Sequence, residues 1–137
     1  MKNMIATLIN PPENWSFWTA EKISELENAT DNFKVGEQLV LENNEFKIWT
    51  IHLPPGESMP FHTHSKRYFW TALSAGKSIS YYNDGSVLET QYEVNDVKYF
   101  SDLSDANFFT HNLENTGSTE LIFMTVEFLK ELDVENI

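Results

Sequence analysis

Three of the four histidines are spaced as metal ligands would be. His62 and His64 are one residue apart in Pro60-Phe61-His62-Thr63-His64, and His111 lies far downstream in Phe109-Thr110-His111-Asn112-Leu113. On a strand, residues two apart leave the same face with Cα atoms roughly 6.5–7 Å apart, so two such imidazoles can converge on one ion. His111 can join them only if a sheet closes until strands distant in sequence become neighbours. Imidazole suits Fe, Ni or Zn. Three neutral imidazoles leave a divalent ion with its full +2 charge and with open positions on one face. Such a site favours an anionic, bidentate partner such as an enolate, a carboxylate or an α-hydroxy acid. His52, on the run before Pro54, has no partner in this spacing and is read as structural. The chain has no Cys, which removes thiolate metal sites, iron–sulfur clusters and cysteine nucleophiles.

Other residues near these histidines could also serve a site. Arg67, the sole Arg, follows the pair directly. It could fork a substrate carboxylate at a cavity mouth, against the simpler reading of a solvated turn. Tyr68 could hydrogen-bond a bound ligand or act as an acid, since its hydroxyl both donates and accepts. Phe61, Trp70, Phe108, Phe109 and Met124 would wall an apolar cavity if they face inward, and are otherwise ordinary core. Glu57, straight after Gly56, and Asn115 are read as turn residues. No Gly-x-Ser-x-Gly turn is present, and five glycines make a phosphate-cradling loop hard to build.

The elements that would carry these residues are short strands. At 137 residues the chain is one domain. The first 34 residues read as an N-terminal extension, broken by Pro11-Pro12 and carrying a weakly amphipathic helix over Thr19–Asn28. Residues 35–137 read as the main domain. There the period changes to two: Glu45–Leu53 is rich in β-branched and aromatic residues and stops at Pro54-Pro55-Gly56. Lys77–Tyr82 and Ser86–Tyr92 flank the hairpin signal Asn83-Asp84-Gly85, and Asn95-Asp96 is a second turn. Leu121–Leu129 is a last strand. Short strands with turn signals between them, and no βαβ alternation, specify an all-β sandwich or barrel.

Nine basic against 21 acidic residues give a formal charge of −12, too acidic to track a phosphate backbone or an anionic lipid surface. Nucleic acid and membrane are therefore not expected partners; a small molecule is. The longest apolar run, Leu121–Met124, cannot span a bilayer, and the N-terminus has no cleavage signature. The cytoplasm is the expected compartment.

Gly56-x5-His62-x-His64, a gap, Gly76, and then His111-x3-Asn115 resemble the two motifs of the cupin superfamily, G-x5-H-x-H-x3,4-E-x6-G and G-x5-P-x-G-x2-H-x3-N. The resemblance runs from about Val40 to Leu129. It implies an RmlC-like jelly-roll β-barrel with a short N-terminal helix or arm, an inward-facing metal site and, commonly, a homodimer. Two departures stand out. The glutamate position falls on Tyr68 or Phe69, with Tyr68 fitting Leu73 and Gly76 better, and Ala106 and Phe108 replace the second motif's Pro and Gly. What remains is a three-His set, His62, His64 and His111. It is similar to the cupin subgroup that includes the thiol dioxygenases and the diketone-cleaving dioxygenase. That likeness implies one divalent metal ion and oxygenation of a small anionic or enolisable molecule. A non-catalytic ligand-binding or sensory cupin, and a metal-assisted isomerase or lyase with Tyr68 as proton donor, are the alternatives.

Overall fold

The period-two segments form strands in the computed structural model, which describes residues 4–130. Strand β1 spans Ile5–Asn10, and a 3-10 turn at Trp15–Phe17 leads to helix α1, Ala20–Glu27. Then follow β2 (Gln38–Glu42), β3 (Phe46–Leu53), β4 (Ser58–His64), β5 (Tyr68–Ala72) and β6 (Gly76–Tyr81). The chain continues through β7 (Val87–Tyr92), β8 (Val97–Phe100), β9 (Phe109–Asn115) and β10 (Leu121–Phe128). They pair antiparallel into two five-stranded sheets, ordered β1-β7-β6-β9-β4 and β2-β3-β10-β5-β8. The expected all-β jelly roll with a short N-terminal helix is what forms.

Alternation sets the inside and the outside of each strand. Along β10, Leu121, Phe123, Thr125 and Glu127 are buried, whereas Ile122, Met124, Val126 and Phe128 are half-buried on the other face. Trp49, Ile51 and Leu53 of β3 are likewise buried, and His52 between them is exposed. One end of the barrel is closed by an apolar cluster of Ile51, Leu53, Met59, Ala72, Tyr92, Leu113, Leu121 and Phe123. The turn chemistry agrees: Gly85 (φ 92°) and Asn95 (φ 77°) adopt the left-handed backbone that their turns require.

The N-terminal extension is woven into the barrel. β1 pairs with β7 as an edge strand, an element that the sequence reading left without structure. Thr19 caps α1, its hydroxyl accepting from the Lys22 amide at 3.1 Å. The helix lies against the outer face of the first sheet, where Trp18 stacks on Phe61 with centroids 6.0 Å apart. Lys22 pairs with Glu114 there. Residues 32–37 then cross from one sheet to the other: the Thr63 amide donates to the Asn32 carbonyl at 2.8 Å, and the Glu37 amide donates to that of Thr50 at 3.0 Å. This crossing closes the barrel on the β4 side and leaves β1 and β8 as facing edges on the opposite side.

Candidate metal centre

Pairing of β4 with β9 brings the three histidines together. His62 lies directly across from His111, and Phe109 across from His64. The register shifts between Met59 and His62, inserting an extra residue into β4 at Pro60-Phe61. That bulge lets Met59 and His62 both face inward, Met59 into the apolar end and His62 toward the site. Ring centroids are 5.0 Å apart for His62 and His64, 4.7 Å for His62 and His111, and 5.1 Å for His64 and His111. One ligand nitrogen from each lies within 4.8 Å of the others.

The protonation states suit metal binding. His62 Nδ1 sits 2.9 Å from the Pro60 carbonyl, which can only accept, so Nδ1 carries the proton and Nε2 keeps its lone pair. Burial pushes the His62 pKa down to about 4. Burial also holds His64 and His111 well below the ordinary range, and the neighbouring imidazoles push in the same direction. All three are neutral at pH 7. The buried Nδ1 atoms of His64 and His111 have no hydrogen-bond partner. Two buried nitrogens without partners among three convergent neutral rings are costly to leave unsatisfied, and the donor set fits one divalent ion.

The remaining candidates separate cleanly. Tyr68 faces inward and is almost wholly buried, stacked on His64 at 4.1 Å with the planes 14° apart. Phe69 points outward toward Phe128. The motif's glutamate position is therefore occupied by a phenol, and burial holds its proton far above the usual tyrosine range. Trp70 lines the cavity. Phe109 packs beside the histidines, 5.1 Å from the His64 ring and 5.0 Å from that of His111, but contrary to expectation it backs these rings and is not in the cavity lining.

Four further expectations need correction. Phe61 faces away from the cavity, because the bulge turns it onto Trp18 beneath α1. Met124 belongs to the outer face of β10, and Phe108 is exposed in the loop before β9. Arg67 lies over the outward Phe128 ring at 4.3 Å and donates to Tyr99 Oη at 3.2 Å, so it does not reach the site. Asn115 serves its turn, donating to the carbonyls of Leu53 and Thr119, both at 2.8 Å. Glu57 is exposed in the turn at Gly56, and His52 is exposed on the outer face of β3.

Around the histidines lies a cavity of about 90 Å³, walled by Tyr68, Trp70, Tyr82, Tyr92 and Phe100. Met4 and Ala6 beside β7's Leu88 and Lys98 on β8 also line it, so it opens between the two facing sheet edges. Sequence reasoning missed Tyr82, Tyr92, Lys98 and Phe100. The alternation Val97-Lys98-Tyr99-Phe100 was the available signal, since it places Lys98 and Phe100 on one face. Behind Tyr68, Glu127 is buried inside the barrel and accepts a hydrogen bond from Trp49 Nε1 at 3.2 Å.

No family model matches this sequence, and no curated protein does. Solved structures do match. A cupin domain from Bordetella pertussis Tohama I superposes with a TM-score of 0.59 at 20% identity, over 74% of this chain and 100% of that one. A double-stranded β-helix protein from Klebsiella pneumoniae gives 0.52 at 22% identity, over 74% and 84%. An RmlC-like cupin family protein from Methanocaldococcus jannaschii gives 0.51 at 19% identity, over 69% and 84%. The fold is the cupin double-stranded β-helix.

Proposed function

We propose that the protein binds one divalent metal ion through His62, His64 and His111 and uses it in dioxygenase-like chemistry on a small anionic or enolisable molecule. The observation that carries this reading is the convergence of three neutral imidazoles, two of them with an orphaned nitrogen, at the wall of an aromatic cavity. A bound Fe, Ni or Zn ion would supply Lewis acidity and, if iron, a route to O2. The chain's own residues would do the rest. Tyr68 keeps its proton and can donate a hydrogen bond without becoming an anion. Trp70 and Phe100 keep bulk water from the reacting face. The reading extends to a homodimer, supported by the exposed apolar residues along β1.

Elemental analysis of purified protein should show about one divalent ion per chain, lost on His62→Ala or His111→Ala and kept in His52→Ala. Iron-loaded protein in an oxygen electrode, offered thiols, β-diketones and α-hydroxy acids, should consume O2 with one of these classes. A protein that takes up no metal would sink the proposal. Metal uptake without turnover of any class would favour a ligand-binding role, a reading supported by a cavity lining without a carboxylate among the described residues.

A further inference from the structure

Charge is distributed unevenly between this protein's surface and its cavity. The chain has 21 acidic residues, yet none of those among the described residues lines the cavity. Glu127, the buried carboxyl nearby, is turned to Trp49 and is not part of the lining. Among the described residues the lining instead includes one ammonium, that of Lys98.

Its position follows from register. Lys98 pairs with Trp70 across β8 and β5, and Phe100 pairs with Tyr68, so all four share the inner face. The Lys98 ammonium sits 5.0 Å from the Phe100 ring, which stacks on Tyr68 at 4.7 Å, which in turn stacks on His64 at 4.1 Å. A continuous aromatic stack thus runs from the histidines to one cation at the mouth. Resting on this metal reading, we infer that the site takes a short dianionic ligand, one acidic end on the histidine-held ion and a second on Lys98. The enclosed portion must be small, because the cavity of about 90 Å³ is well below the roughly 150 Å³ that admits benzene. Such a ligand accounts for a lining that holds a lysine and, among the described residues, no acid. Lys98 is the specificity-determining residue, and Arg67, on the outer face, takes no part.

Protein loaded with Co(II) allows metal and ligand to be read separately. Its visible spectrum reports metal uptake, and calorimetric titration then compares malonate, succinate and glutarate with acetate and butyrate. One dicarboxylate should bind distinctly tighter than either monocarboxylate, and added NaCl should weaken it. Lys98→Met should take up Co(II) normally, bind acetate unchanged and lose about tenfold in affinity for that dicarboxylate, or about 1.4 kcal/mol. Lys98→Arg should restore most of the loss. Equal dicarboxylate affinity in wild type and Lys98→Met overturns the inference while leaving the metal reading intact. A change of oligomeric mass in Lys98→Met with affinity unchanged also overturns it, since the lysine would then only guard the sheet edge. Failure of the wild type to take up Co(II) overturns the metal reading itself, at the first step, and this inference with it.

Discussion

Tyr68 and Glu127 face each other across β5 and β10, and together they set the electrostatics behind the histidines. A phenol where the motif has glutamate leaves a bound ion uncompensated. Tyr68→Glu should tighten divalent metal binding by about tenfold and weaken anionic ligands, since the added carboxylate neutralises part of the charge. Without metal, the new carboxylate next to Glu127 should lower stability, so metal should raise the melting midpoint more than in wild type. Phe69→Glu, pointing outward, should leave metal titrations unchanged. Glu127 allows a pH test. Burial raises its pKa, with the Trp49 hydrogen bond, Lys47 and Lys66 opposing. A carboxyl whose folded pKa lies above its unfolded value contributes most below the unfolded pKa, and that contribution is lost as pH rises through the folded one. Glu127→Gln keeps an acceptor for Trp49 and has no charge to desolvate. Calorimetry should therefore show the variant gaining on wild type between pH 4 and pH 7, with a midpoint a few degrees higher at pH 7.

Among the elements, the β4 bulge and the β6–β7 hairpin do most to shape the site. The bulge turns Phe61 out to anchor α1 while His62 turns in. The hairpin is the anchor for the N-terminal segment: the Gly85 carbonyl accepts from Asn10 Nδ2 and from Trp18 Nε1, both at 2.9 Å. A Cβ at Gly85 would lie 3.0 Å from the Glu13 amide nitrogen, on a backbone with φ +92°. Gly85→Ala is therefore expected to cost roughly 1–3 kcal/mol in urea unfolding. The corner after β1 should loosen with it, and hydrogen exchange of the β1 amides should speed up. Because Met4 and Ala6 line the cavity, ligand affinity should fall in parallel.

For the whole molecule, exposed apolar surface competes with charge. Along β1, Ile5 and Leu8 are 56% and 55% exposed and Ile9 is exposed beside them, a row that an unpaired edge strand seldom leaves bare. Light scattering at micromolar concentration should give twice the chain mass, and the double substitution Ile5→Lys with Leu8→Lys should halve it. With a formal charge of −12 per chain, self-repulsion opposes assembly, so moderate salt should strengthen the dimer. A monomer at every salt concentration would remove the homodimer from the reading. No helix among the described residues is long and apolar enough to cross a membrane.

Local chemistry in the sequence was enough to place β3, β6, β7 and β10 with the turns at Gly85 and Asn95, helix α1, and the shared face of His62 and His64. Period-two alternation and left-handed turn residues act over a few residues, and each can be read where it stands. The acidic balance that argues against a nucleic-acid partner is equally plain. Only the tertiary structure decided which distant segments meet. His111 reaches His62 because β9 pairs with β4, a register set by the whole closed sheet. The inward choice of Tyr68 over Phe69 follows from the pairing of β5 with β10 and β8. Phe61 and Trp70 are both large aromatics on strands, and nothing local says that one packs under a helix while the other lines a cavity. β1 has too weak an alternation to announce itself and becomes a strand only because β7 offers an edge. Lys98 gains its meaning in the same way: a lysine that the sequence reading passed over becomes, among the described residues, the cavity's one cation when β8 pairs with β5.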